Sequence, residues 1–111
     1  MGYSAAVKDE IEAFSTLVPD WDGHGAKPVS RQAIAHAVRF VQSVPQYTSN
    51  FEPFPDPNGN VGIEAHIRDK TLYLNFASSG EIAYLLKAGR QIHRGRGVDP
   101  DKIRALLGML L

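Results

Sequence analysis

The chain contains no cysteine. That absence removes disulfides, thiolate nucleophiles, zinc–thiolate centres and iron–sulfur clusters together, because each needs sulfur as bond partner or ligand. Neither sign of charge is in excess: 12 Lys and Arg stand against 12 Asp and Glu. A protein that lives on nucleic acid usually carries surplus cations to neutralise phosphates, so any such contact here has to come from a local patch. Zero net charge also gives little protection against self-association. No apolar run approaches the ~20 residues of a bilayer-spanning helix, so no membrane partner is expected. The opening "MGYSAAVKDEIEAF" has no basic stretch followed by an apolar one, and Ala6 stands where an N-myristoylation signal wants Ser or Thr. A cytoplasmic location is therefore expected. The four histidines form no H-x-x-x-H or H-E-x-x-H pair, so neither a metal site nor a bound cofactor is expected.

What is present suits one α+β domain over residues 1–111. The hydrophobic fraction is 43% and the charged fraction 22%, ordinary values for a globular chain. A first helix is expected from Ser4, as its cap, to Leu17. Val7, Ile11, Phe14 and Leu17 or Val18 recur at helical spacing, and Pro19 stops the run. A second helix starts at Ser30, whose hydroxyl suits an N-cap. Its stripe is Ile34, Ala37, Val38 and Val41, widened by Ala33, Phe40 and Val44; His36 and Arg39 fall opposite or at the border. Pro45 ends it.

Strands follow. Phe51 to Phe54 reads as a short edge strand, since Pro53 cannot donate to a ladder. "PDPNG" at 55–59 signals a turn. "VGIEAHIR" alternates, with Val61, Ile63, Ala65 and Ile67 on one face. With Asp69-Lys70 as a two-residue turn, Ile67 pairs with Leu72, Ala65 with Leu74 and Ile63 with Phe76, placing His66 beside Tyr73 and Glu64 beside Asn75. "EIAYLLKAG" is a further strand whose buried side is open between Ile82, Tyr84, Leu86 and Ala83, Leu85. "RQIHR" gives a last strand around Ile92. Asp99 caps a final helix with Pro100 at its first position, and Ile103, Leu106, Leu107 and Leu110 form its stripe. The expected fold is α+β: two N-terminal helices, an antiparallel meander of four to five strands and a C-terminal helix, with the helices packed on one sheet face.

Three stretches invite a functional reading. "DWDGHGAKPVS" at 20–30 begins like a calcium loop, but Arg31 occupies the position of the closing bidentate acid and repels a cation. It reads better as a connector. Asp22-Gly23 is a turn pair, Gly25 relaxes the backbone, Pro28 fixes the entry to the helix, and Trp21 is expected as a hydrophobic plug between the helices. The second stretch is "KAGRQIHRGRG", where Lys87, Arg90, His93, Arg94 and Arg96 run without an acid; it offers either a solvated strand end and loop or a grip on phosphates. The third is the outward sheet face with Glu64, His66, Arg68, Tyr73 and Asn75. It is a solvated face, a binding face for a protein, or an acid–base group that lacks a pocket. The apolar chain end at Met109, Leu110 and Leu111 adds a possible dimer patch.

"WDGHGAKPVS", followed by an amphipathic helix ending in Val-Pro and then a Pro-Asp-x-x-Gly turn before a strand, resembles a set of small bacterial proteins carrying W-D-G-x-G-A-x-P. The resemblance covers roughly residues 15–85, with Trp21, Asp22, Gly23, Gly25, Ala26 and Pro28 all matching. It implies a recurring architecture and no activity, and it suggests a setting on mobile bacterial elements. The expected function is a small non-catalytic interaction or accessory protein with an unidentified protein partner, a homodimer included. The alternative is a nucleic-acid- or phosphate-binding module using Lys87–Arg96.

Overall fold

The computed structural model describes residues 3–110. Helix α1 spans Tyr3–Ala13, a 3-10 turn follows at Phe14–Thr16, and α2 spans Arg31–Ser43. A 3-10 helix at Pro45–Asn50 leads into β1 (Phe51–Pro55), β2 (Val61–Ile67), β3 (Lys70–Phe76), β4 (Ile82–Ala88) and β5 (Gln91–Gly97); α3 (Pro100–Leu110) closes the order. The five strands form one antiparallel meander in sequence order. This is the expected α+β architecture. No helix among the described residues is long and apolar enough to cross a membrane.

The binary pattern explains the layering. On α2 the buried residues are Ala33, Ile34, Ala37, Phe40 and Val41, the i, i+3, i+4, i+7 set of one helical face. Ser30 starts the helix by accepting from the Ala33 amide at 3.2 Å. On the sheet, Val61, Ile63, Ala65 and Ile67 of β2 and Leu72, Leu74 and Phe76 of β3 are all buried. They meet Val7 and Ile11 of α1, the α2 stripe, and Ile103 and Leu107 of α3 in one cluster. The Phe40 ring lies 5.5 Å from Phe76 and 6.4 Å from Phe51. All three helices thus cover one face of the sheet, and the other face is open. On β4 the open question resolves: Ile82 and Leu86 are buried, with Tyr84 half-buried on the same side. Asp99 caps α3 by accepting from the Asp101 amide at 3.0 Å.

Several expectations are corrected. Helix α1 ends at Ala13, and Val18 is 65% exposed; Phe14 and Leu17 still pack partly on the core. Ser4 lies within α1, which already includes Tyr3, so it is not the cap that begins the helix; its side chain, that of Leu110, and Leu111 lie outside the described residues. The connection after Val44 is no plain loop, since Pro45–Asn50 is helical and buries Tyr47 and Thr48. The β2–β3 turn is Arg68–Asp69, not Asp69–Lys70, so Ile67 pairs with Lys70, Ala65 with Leu72 and Ile63 with Leu74. Arg68 makes this possible by adopting φ 60°, a conformation that L residues other than Asn and Asp seldom take. The last strand is longer than "RQIHR" and makes the basic segment a β-hairpin.

The connector is built much as its residues suggest, with one exception. Asp20 (φ 64°), Gly23 (φ 75°) and Gly25 (φ 81°) all lie in the left-handed region, which glycine enters without a Cβ penalty. Asp22 Oδ1 accepts from the His24 and Ala26 amides at 2.8 and 3.1 Å, and Asp20 Oδ1 accepts from Gly25 at 2.6 Å. The exception is Trp21. Its ring is only half-buried and stands outside the core cluster, so it is no plug between helices. Instead its indole N–H donates to the Lys27 carbonyl at 2.9 Å and closes the loop on itself. The loop then docks on the β1–β2 turn, where Lys27 and Ser30 amides donate to Pro57 and Gly59 carbonyls at 2.8 Å each.

Candidate functional site on the open sheet face

Register dictates what the open face presents. Cross-strand partners point to the same side of a sheet. One row therefore runs Glu52, Glu64, Tyr73, Leu85, Arg94 across all five strands. A second row runs Phe54, Gly62, Asn75, Ala83, Arg96, and a third joins His66, Thr71, Lys87 and Ile92. The face is negative along β1 and β2, apolar and aromatic in the middle, and positive along β4 and β5. Phe54 lies down across β2 because Gly62 has no side chain; a Cβ there would overlap the Phe54 ring.

The corrected register changes the neighbours. Glu64, not His66, stands beside Tyr73, and His66 stands beside Thr71. Glu64 Oε1 lies 2.8 Å from His66 Nε2, and His66 Nδ1 lies 3.3 Å from the Thr71 hydroxyl. With Nε2–H donating to Glu64, Nδ1 is left to accept from Thr71. The Glu64 charge, helped by burial and a hydrogen bond to the same carboxylate, holds the Tyr73 phenol above its usual range. Lys87 Nζ sits 5.6 Å from the centre of the Tyr73 ring, a cation–π distance. Of the other expected residues, Arg68 is in the turn and away from this cluster, and Asn75 is committed to structure: it donates to Asp56 at 2.6 Å and accepts from Asn60 at 2.8 Å.

The basic segment does not act as one unit. Lys87, Arg94 and Arg96 share the open face, while His93 pairs with Leu86 and points to the opposite side. Arg90 occupies the turn after Gly89. Arg96 is 3.4 Å from Glu81, so part of its charge is answered within the chain.

Chemically, hydroxyl, imidazole and carboxylate line up through Thr71, His66 and Glu64. That order suits proton relay, but the His66 side chain is 51% exposed on a flat sheet that neither excludes water nor aims donors at a developing charge. Glu52, Glu64 and His66 place one ligand atom each within 4.8 Å of one another, and such a nitrogen and oxygen set fits a divalent transition metal. The sequence hid this group because Glu52 lies on a different strand. It also hid a recess on the helical side, where His36 and Arg39 of α2 meet Arg104 of α3; helix periodicity shows only that the first two lie off the core stripe.

Neither a family model nor a curated protein nor a solved structure matches this chain.

Proposed function

We propose that this chain is a non-catalytic protein-interaction protein of the accessory kind, that the open sheet face is its docking surface, and that a second copy of the chain is the partner the face fits. One observation carries the reading: a single row passes from Glu52 and Glu64 through Tyr73 and Leu85 to Arg94. An apolar centre inside a polar rim is the anatomy of a protein interface. The charge gradient makes the face self-complementary. A two-fold axis parallel to the strands lays β1 of one copy over β5 of the other, so Glu52 meets the partner's Arg94 while the two Tyr73 rings meet at the axis. In such an isologous contact every pairing occurs twice.

The size of the face sets the strength. Five strands about 4.8 Å apart and about seven residues long at ~3.3 Å per residue present roughly 550 Å². That is below the ~800 Å² per partner of standard stable complexes and in the size range of weak, transient contacts, for which a Kd on the order of 10–100 µM is the value to test. Sedimentation equilibrium tests it. The chain dimerises in that range, Arg94→Glu abolishes dimerisation, and adding Glu52→Arg to that variant restores it. A wild-type chain that stays monomeric at about 500 µM, well above the expected Kd, or a double variant with no recovery, overturns the proposal.

Lys87, Arg94 and Arg96 beside Tyr73 also have the make-up of a single-strand nucleic-acid platform. Glu52 and Glu64 on the same face oppose a polyanion, and this reading is the less supported one. Salt-dependent binding to an oligonucleotide, lost in Arg94→Glu, would favour it over the protein partner.

A further inference from the structure

On the helical side, a recess of about 410 Å³ opens between α2, the β3–β4 turn and the start of α3. It falls within the ~300–1,000 Å³ of small-molecule sites. Its floor is apolar, made by the buried Phe40 and Ile82. Its formal charges are of one sign. His36, Arg39 and Arg104 line it with two serines, and none of the described residues lining it is acidic. In a chain with equal numbers of acids and bases, that is a local cationic excess.

The three nitrogen-bearing side chains differ in a useful way. Arg104 is held in place: it donates to the Ser43 hydroxyl at 3.0 Å and pairs with Asp101, while Ser43 donates to the Phe40 carbonyl at 2.6 Å. Arg39 and His36 have no hydrogen bond or ion pair among the described residues. A Cβ at Gly80 would come 3.6 Å from His36 Nε2, so the ring stands beside the β3–β4 turn. Asp101 answers part of the Arg104 charge, and Arg39 and His36 are left to meet a ligand. A guanidinium matches a phosphoryl group with two parallel N–H donors. Two guanidiniums and an imidazole suit a dianion better than a lone carboxylate, and the apolar floor suits a carbon skeleton.

We propose that this recess binds a small organic phosphate, with Arg39, Arg104 and His36 on the phosphoryl oxygens and the organic part on Phe40 and Ile82. The site is independent of the open sheet face, because the sheet lies between them. The test is a ¹⁵N NMR titration with phenyl phosphate, inorganic phosphate and benzyl alcohol as probes. Phenyl phosphate shifts amides in 36–43, 79–82 and 98–104 and saturates at millimolar concentration or below. Inorganic phosphate and benzyl alcohol each bind at least ~5-fold more weakly, since each supplies half of the recognition. Arg39→Glu leaves the far-UV circular dichroism unchanged, because the Arg39 side chain has no partner among the described residues, and weakens phenyl phosphate at least ~10-fold, as loss of a charge-assisted bidentate contact does. No saturable shift at ~10 mM phenyl phosphate, beyond the range of specific recognition, overturns the proposal. So do equal affinity for inorganic phosphate, shifts centred on Arg94 and Arg96, or an Arg39→Glu variant that binds like wild type.

Discussion

Trp21→Ala measures how much of the fold depends on the closed loop at 20–30. A tryptophan that is fully buried hides ~150–250 Å². Trp21 is partly buried, with well over half of the residue hidden, so about 130 Å² of ring surface loses its cover on truncation. At ~25 cal/mol per Å² that is ~3.3 kcal/mol, an upper value that falls to ~2–3 kcal/mol because the unfolded chain already hides part of the ring. Loss of the 2.9 Å bond to the Lys27 carbonyl adds ~0.5–1 kcal/mol, no more, because Lys27 is exposed and water replaces the donor. The expected cost is about 2.5–4 kcal/mol. Trp21→Phe keeps most of the ring and loses the donor, and costs about 1 kcal/mol. His24→Ala costs close to nothing, because the loop uses only the His24 amide. Urea unfolding followed by circular dichroism is the assay, since the chain has a single tryptophan and its removal silences indole fluorescence. The slope of free energy on urea should stay constant across the three variants. A cost for Trp21→Ala above ~4 kcal/mol, as for a core aromatic, or below ~1 kcal/mol would refute this reading of the loop.

Asp22 gives a pH signature. The hydrogen bond from the His24 amide lowers its pKa from the ordinary 3.8; burial opposes this, and the Ala26 amide adds a smaller push downward. A depressed folded-state pKa means that the ionised carboxylate adds stability above the unfolded value, and that this stability is lost as pH falls through the lower, folded one. Asp22→Asn is therefore less stable than wild type at neutral pH, and the gap closes as the pH drops below 3.8; unfolding curves at several pH values check it, and a constant gap would rule the linkage out. Glu52 and Glu64 are direct cross-strand partners, and like charges in that position destabilise by ~0.2–1 kcal/mol. Glu52→Gln should raise the melting temperature of the dilute chain, and the rise should shrink at high salt.

The parts of this fold that sequence reveals are those fixed by period. The α2 stripe and the alternation of β2 and β3 each state which side is buried, and the structure agrees except at two residues: Val38 of the stripe is only partly buried, and Gly62, on the outward side of β2, is buried under the Phe54 ring. The β2–β3 register was not legible for a definite reason. Moving the turn from 69–70 to 68–69 slides the pairing by two residues, from Ile67–Leu72 to Ile67–Lys70, and a slip by two keeps every inward residue inward and is invisible to the hydrophobic pattern. Only the left-handed Arg68 decides it, and nothing in an arginine announces that conformation. The helical turn at 45–50 is too short to show a period. Trp21 misleads because a lone tryptophan is most often a core residue, whereas here a carbonyl six residues on captures its N–H. The functional groups follow the same rule. Glu64 and His66 share a strand and were visible together, but Glu52 joins them only through the register. Arg104 reaches Ser43 across 61 positions of chain, a distance over which no spacing rule operates.

The open face is where a bland reading and a functional one differ in what they predict of the residues. A sheet face that only meets water has no need for Phe54, Leu85 and Ile92 at outward positions, and polar residues there would keep the register as well. Here Phe54 and Ile92 remain 39% and 54% exposed. The Phe54 ring folds down over Gly62, and Lys87 Nζ sits over the Tyr73 ring, whereas Arg96 and Ile92 stand out into solvent. Cross-strand pairing alone does not require acids on one edge and cations on the other, since interspersed charges satisfy it equally well. The segregation has a physical use if something of the opposite polarity lies across it, and a copy of the same face turned about the strand axis brings the acid of β1 over the cation of β5, Glu52 over Arg94, at both edges.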